Sequence, residues 1–120
     1  MATVLVVDDD RVVSHLVTSL LRGKGHKVLT AFDAVQGLMQ AMRIPPVDAI
    51  VLDINMPGGS GEETLKKIKM STRTSAIPII ILSGSIDSQG QERVRSLGAE
   101  AVLSKPLVPD ELFEALTRAL

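Results

Sequence analysis

The chain contains no cysteine, no tryptophan and no tyrosine, and only two phenylalanines among its 120 residues. Without cysteine there is no disulfide framework, no thiolate metal site and no thiol catalysis, a composition that suits a reducing compartment. Nor is there an excess of charge of either sign. Thirteen basic residues face fourteen acidic ones for a net charge of −1, so nothing in the overall charge favours nucleic acid, a polyanion or an anionic membrane, and any partner must be recognised by a local surface. No apolar run approaches the roughly 20 residues needed to span a bilayer, and no basic-plus-apolar leader precedes the first apolar run. The expectation is a cytoplasmic chain without direct contact to nucleic acid or membrane. Internal repeats, low-complexity tracts and linkers are also missing, and 120 residues with 45% hydrophobic content describe one domain over 1–120.

Five short apolar runs alternate with longer amphipathic segments: Val4 to Val7, Lys27 to Ala31, Ala49 to Leu52, Ile77 to Leu82 and Ala101 to Leu103. The first, third and fourth lack polar alternation, as central strands of a parallel sheet covered on both faces should. Between them, Val12, Val13, Leu16, Val17, Leu20 and Leu21 predict the apolar stripe of a first helix, ended by Gly23 and Gly25. A second helix is expected from an Asp33 N-cap to Met42, before Pro45 and Pro46. A third follows Gly61, and a fourth, near Gln89 to Leu97, is mostly polar and should pack lightly. The last starts at Pro109 with Asp110 and Glu111 in its first turn, while Val108 stands where a capping side chain would be expected. This pattern predicts an α/β fold with five parallel strands and five helices.

Asp8, Asp9 and Asp10 follow directly on the first apolar run, and the third run ends in Asp53. Two carboxylates about 4 Å apart repel by roughly 4 kcal/mol at an effective dielectric near 20, so acids gathered at strand ends invite a metal or a raised pKa. In an open parallel sheet, ligands bind beyond the carboxyl ends of the strands, near the point where strand order reverses. Ser83 closes the fourth run there, and Lys105 follows the fifth in Ser104-Lys105-Pro106. Acids, a hydroxyl and one cation on a single sheet edge form an inventory for a divalent metal and a phosphoryl group.

Read in order, Val7-Asp8-Asp9, Asp53 with Met56-Pro57 after it, Gly61 eight positions on, Pro78, Ser83-Gly84, Gly98-Ala99 and Lys105-Pro106 resemble a response-regulator receiver domain of two-component signalling, similar to single-domain chemotaxis regulators. The resemblance spans the chain. It implies a doubly wound, flavodoxin-like (CheY-like) α/β/α sandwich with strand order 2-1-3-4-5. It further implies that Asp53 is the phosphoacceptor, taking a phosphoryl group from a histidine kinase or histidine phosphotransfer protein, with the fold assisting its own phosphorylation and dephosphorylation rather than acting as an enzyme on other substrates. Mg²⁺, or Mn²⁺ in its place, would then be held by Asp9, Asp53 and the backbone carbonyl of Asn55, with Asp8 acting through water. Asp10 is left as an N-cap. Lys105 would pair with one phosphoryl oxygen, aimed by a cis peptide between Lys105 and Pro106, and Ser83 would donate to another, with Gly84 leaving the site open. Asn55 and Ser85 flank the site where they would tune the phosphoryl lifetime. Downstream binding would use the fourth helix, fifth strand and fifth helix, in a monomer or a weak phosphorylation-dependent dimer. The family's reporting aromatic, three residues before the lysine, is replaced by Val102, which puts an aromatic rotamer switch in doubt.

Two competing readings are a small haloacid-dehalogenase-type phosphohydrolase, with Asp8 as nucleophile and Asp10 as general acid, and a receiver-like interaction module that is not phosphorylated. Other residues invite blander assignments. His15 and His26 lack a second histidine at ligand spacing and read as structural or solvated. Gly58, Gly59, Ser60 and Gly61 lack the lysine of a phosphate-cradling loop. Lys66, Lys67 and Lys69 read as a solvated basic face, and Met39, Met42, Met56 and Met70 as packing or surface residues.

Overall fold

The computed structural model describes residues 1–56 and 60–120. Along the chain, strands and helices alternate as β1 (Thr3–Val7), α1 (Arg11–Gly23), β2 (Lys27–Ala31), α2 (Ala34–Ala41), β3 (Ala49–Asp53), α3 (Ser60–Met70), β4 (Ile79–Ser83), α4 (Ser88–Ser96), β5 (Ala101–Ser104) and α5 (Pro109–Ala119). All strand pairings are parallel and the sheet order is β2-β1-β3-β4-β5. This is the predicted doubly wound α/β sheet with five helices. Pro57, Gly58 and Gly59, part of the expected glycine-rich loop, lie outside the described residues.

Alternation along the central strands explains why helices cover both faces. Leu5, Val7, Ile50, Leu52, Ile79 and Ile81 pack with Leu65 and Ile68 of α3, Ala41 of α2 and Val94 of α4. Their neighbours Val4, Val6, Val51, Ile80 and Leu82 pack instead with Val17 and Leu21 of α1 and Leu112, Ala115 and Leu116 of α5. Each strand therefore feeds two cores, and full burial of each such side chain contributes about 1.5–3 kcal/mol.

The helices depart from the sequence reading in ways that burial explains. In α1 the face against the sheet is Ser14, Val17, Thr18 and Leu21, at i, i+3, i+4 and i+7, while Val12 and Leu16 of the predicted stripe are exposed. The turn is set by Asp10, whose Oδ1 accepts from the Val12 N–H at 2.9 Å and the Val13 N–H at 3.3 Å. β4 begins at Ile79 rather than Ile77, because the Ile77 N–H is spent on Thr74 O at 3.0 Å and Pro78 has none to give. Lys69 is not part of a solvated basic face. Its Nζ donates to Ser75 O at 3.1 Å and Ile77 O at 2.7 Å, fastening the end of α3 to the approach of β4, and burial pushes its pKa down. Of the methionines, Met56 joins the core, whereas Met39 and Met70 are exposed.

α4 is held lightly. Val94 and Gly90 are its buried residues, and a two-point ion pair joins its Arg93 to Glu62 of α3, with Nε to Oε1 at 2.5 Å and an Nη2 donor to Oε2 at 3.2 Å. α5 starts without a side-chain cap at Val108 and with Pro109 in its first turn, as its sequence predicts.

Gly61 holds its place through close approach. A Cβ there would sit 2.5 Å from the Ile54 carbonyl oxygen and 2.6 Å from its Cα, both rigid backbone atoms. At Gly23, by contrast, a Cβ meets nothing within 4 Å. Gly61→Ala should therefore destabilise the fold by about 1–3 kcal/mol through overpacking, whereas Gly23→Ala should stabilise it by about 0.4–1 kcal/mol. Urea unfolding of both variants beside the wild type checks the opposite signs.

Candidate functional site

The chain leaves β1 for one edge of the sheet and returns to β3 on the other side of β1, so strand order reverses between these two neighbours. Val7 and Leu52 are register partners, which brings the next residue of each, Asp8 and Asp53, out side by side at the carboxyl edge. That is where an open α/β sheet binds its ligand.

Asp8 is fully buried and Asp53 nearly so, while Asp9 is exposed. One carboxylate oxygen from each of the three lies within 4.8 Å of the others. Asp8 Oδ1 accepts from the Asp10 N–H at 2.9 Å. Its Oδ2 is buried without a hydrogen bond, and 3.2 Å away stands the Lys105 Nζ, aligned as an ion pair only. The same ammonium lies 3.5 Å from Asp53 Oδ1, which also accepts from the Asn55 N–H at 2.9 Å. Burial pushes the Asp53 pKa above its ordinary value of 3.8; the Asn55 N–H opposes that rise, the Asp8 charge adds to it and Lys105 opposes it. Asp53 thus carries a raised pKa, and the acids gathered around it offer a place for a cation.

A second cluster closes the other side of the site. The Asn55 Oδ1 accepts from the Ser83 hydroxyl at 2.8 Å and from the Gly84 N–H at 3.0 Å, and the Asn55 Nδ2 donates to Ser85 O at 3.4 Å. The Ser85 N–H in turn donates to Ser83 Oγ at 3.2 Å. The sequence singles out Asn55 only for its backbone carbonyl and its flanking position; its side chain ties the end of β3 to the end of β4, a link that nothing in the one-dimensional spacing announces. A Cβ at Gly84 would meet only the Lys105 Cδ, at 3.9 Å, so this position is open.

The Lys105 N–H donates to Ser83 O at 2.8 Å, which continues the β4 to β5 ladder one residue past its end and sets the lysine beside the acids. The Lys105-Pro106 peptide is cis, as is Ile44-Pro45, which the sequence did not suggest. Val102 is half-buried and packs against the core, as do Ile86, Leu97 and Ala99. The two aromatic rings lie away from it, Phe32 under the Arg11 guanidinium at 4.0 Å and Phe113 under the Lys24 Nζ at 4.7 Å. His15 is exposed on α1 and His26 half-buried, and neither joins the acidic cluster.

The family model of the response regulator receiver domain matches residues 4–117. The chain belongs to that family. Its similarity extends over full-length proteins: it is 31% identical to Protein PilH of Pseudomonas aeruginosa across all of this chain and 98% of that one. The chemotaxis protein CheY4 of Vibrio cholerae superposes with a TM-score of 0.91 at 32% identity, covering 100% of this chain and 99% of CheY4. The receiver domain of the sensor histidine kinase PA1611 from Pseudomonas aeruginosa, solved with a magnesium ion coordinated in its active-site cleft, gives a TM-score of 0.86 at 27% identity over 98% of this chain and 95% of that one. Receiver domains are signalling proteins of two-component systems rather than classical enzymes; histidine kinases phosphorylate them and they act on downstream targets. Among the described residues no helix is long and apolar enough to cross a membrane.

The raised pKa of Asp53 fixes the sign of a stability effect in the receiver. A native carboxyl that keeps its proton above 3.8 makes the native state bind more protons than the unfolded one, so stability falls as pH rises from that value through the native pKa. Asp53→Asn should raise the melting temperature of metal-free protein at neutral pH and flatten this fall. Calorimetric scans of both proteins from pH 3.5 to 8 in chelator decide it; an Asn variant that melts lower than wild type at pH 7 would contradict the repulsion argument.

Proposed function

We propose that the chain, as one receiver unit over residues 1–120, is a phosphorylation-dependent switch in which Asp53 accepts a phosphoryl group from a phosphohistidine of a kinase or phosphotransfer protein. One observation carries the reading. A buried acceptor carboxylate is grouped with two further metal-capable acids, and one ammonium stands 3.5 Å from it and 3.2 Å from the buried Asp8. In the transfer, an Asp53 oxygen forms the new bond to phosphorus as the phosphorus–nitrogen bond breaks, and the imidazole leaves with the electron pair. Little covalent chemistry is asked of the protein beyond positioning and charge neutralisation.

The acids fit a hard divalent cation such as Mg²⁺ or Mn²⁺: three carboxylate oxygens converge, and the buried Asp8 Oδ2 has no hydrogen-bond donor of its own. Asp9 and Asp53 would be its direct ligands, with the Asn55 carbonyl, and Asp8 would reach it through water. Such an ion, when bound, supplies positive charge to the transferring phosphoryl group. The residues of the chain do the rest. The Asn55 N–H holds Asp53 Oδ1 in place, and Lys105 is near enough to pair with a phosphoryl oxygen. Ser83 reaches the group only by giving up its bond to the Asn55 Oδ1, so the arrival of phosphate and the loss of one of the three bonds of the β3–β4 tie become one event. With valine at 102, that motion of Ser83 and the lightly held α4 behind it replace a swinging aromatic. The surface of α4, β5 and α5 then meets the downstream protein.

The phosphohydrolase alternative fares poorly on the geometry. The Asp10 carboxylate, which that reading needs as general acid, caps α1 instead of facing a leaving group. Incubation with acetyl phosphate and Mg²⁺, read by intact mass, should add one phosphoryl group to wild type and none to Asp53→Ala. An adduct on the variant, or none on the wild type, sinks the assignment; loss of the adduct in Asp8→Ala with retention in Asp53→Ala would favour the hydrolase. Ser83→Ala should still be labelled but should lose the phosphorylation-dependent change in amide exchange over α4, which hydrogen-exchange mass spectrometry reads directly.

A further inference from the structure

α2 carries no charged residue from Ala34 to Ala41. Gly37 and Ala41 are buried, and a Cβ at Gly37 would stand 2.9 Å from the Val7 Cγ1, so the helix lies close on the sheet along that line. Beside it, Val35, Leu38, Met39 and Met42 line an open groove of about 430 Å³. Val35 is 69% and Met39 70% exposed, and Ile44 just beyond the helix is 75% exposed. Contiguous apolar surface of this kind on a small domain marks an interaction site. The four lining residues fall at i, i+3, i+4 and i+7, the spacing of a helix–helix seam.

The charges that border the seam say what covers it. Asp33, at the N-cap, is exposed, and Arg43 follows the C-terminal end of the helix, ten positions on. A neutral apolar stripe with an acid at its start and a base at its end is complementary to itself when reversed. We propose that α2 is a homotypic interface, on which a second copy of this chain packs its own α2 antiparallel about a two-fold axis. In that arrangement Val35 of one copy meets Met42 of the other, Leu38 and Met39 lie next to the axis, and each Asp33 comes opposite the partner copy's Arg43. Such an isologous contact uses the same patch twice. The methionines, flexible and polarisable, fill the irregular space between the helices. Eight residues span only about 12 Å of helix, so the seam belongs with the small, transient interfaces below about 1,200 Å². The interface lies on α2, away from α4, β5 and α5, and needs no phosphorylation.

The absence of cysteine makes the geometry testable by cross-linking. Met39→Cys, next to the axis, should form a disulfide-linked dimer under mild oxidation at least tenfold faster than Met70→Cys, which is 81% exposed at the end of α3 and serves as the control for random collision. Val35→Cys and Met42→Cys should each cross-link slowly alone and readily when mixed. Sedimentation velocity from 10 µM to 1 mM should show wild type self-associating and Met39→Glu remaining monomeric, with unchanged circular dichroism to show that the variant folds. Equal cross-linking rates for Met39→Cys and Met70→Cys overturn the proposal. So does a wild type that stays monomeric to 1 mM, which would leave the groove to a helix of another protein, and so does a dimer that Met39→Glu does not weaken.

Discussion

Two acidic side chains are buried where neighbouring parallel strands end, and most of what is distinctive in this domain answers that placement. The sheet has to bring β1 and β3 together for the doubly wound order to form, and the register that aligns Val7 with Leu52 also aligns Asp8 with Asp53. Desolvation and mutual repulsion then act on the same pair. Lys105 and an amide N–H at each of the two carboxylates are the means by which the fold tolerates the charge. The lysine's reach is set in turn by β5, because its own N–H is fixed to the end of β4.

This arrangement links stability with chemistry. A site assembled only to be stable would replace the buried acids with apolar residues of similar size. Here the domain keeps an unfavourable electrostatic centre in which added positive charge is favourable, so that whatever brings it is bound by the energy that the fold withholds. The Asn55 side chain belongs to the same logic on the other side of the site, since it satisfies the Ser83 hydroxyl and the Gly84 N–H in the absence of any incoming group.

Much of this was legible in the sequence because the signals were local. The unalternating runs of β1, β3 and β4 are continuous in sequence, Asp10 stands where an N-cap must stand, and the acids, Ser83 and Lys105 each follow directly on an apolar run. What escaped depended on long-range geometry. The stripe of α1 was read from apolar residues alone, yet the sheet accepts Ser14 and Thr18 on the buried face and leaves Val12 and Leu16 outside, since a short hydroxyl packs where a wider side chain would not. Lys69 looked solvated because a lysine's destination depends on which carbonyls come within reach, and Ser75 and Ile77 approach it only after α3 and β4 are packed. Gly61 was recognised by its place in a pattern; its reason is the Ile54 backbone beneath it. The Asn55 tie across to Ser83 joins residues 28 positions apart and has no periodic signature.

The bond between Arg93 and Glu62 has a consequence for the solvent in which the domain works. Both partners are surface side chains, the arginine more than half exposed, and they connect α3 to α4, a helix with only Gly90 and Val94 buried. Exposed pairs of this kind are screened by dissolved ions, with a Debye length near 8 Å at physiological ionic strength. Salt therefore acts on α4 before it acts on the buried acids, and the same protein presents a firmer α4 in dilute buffer than in a concentrated one.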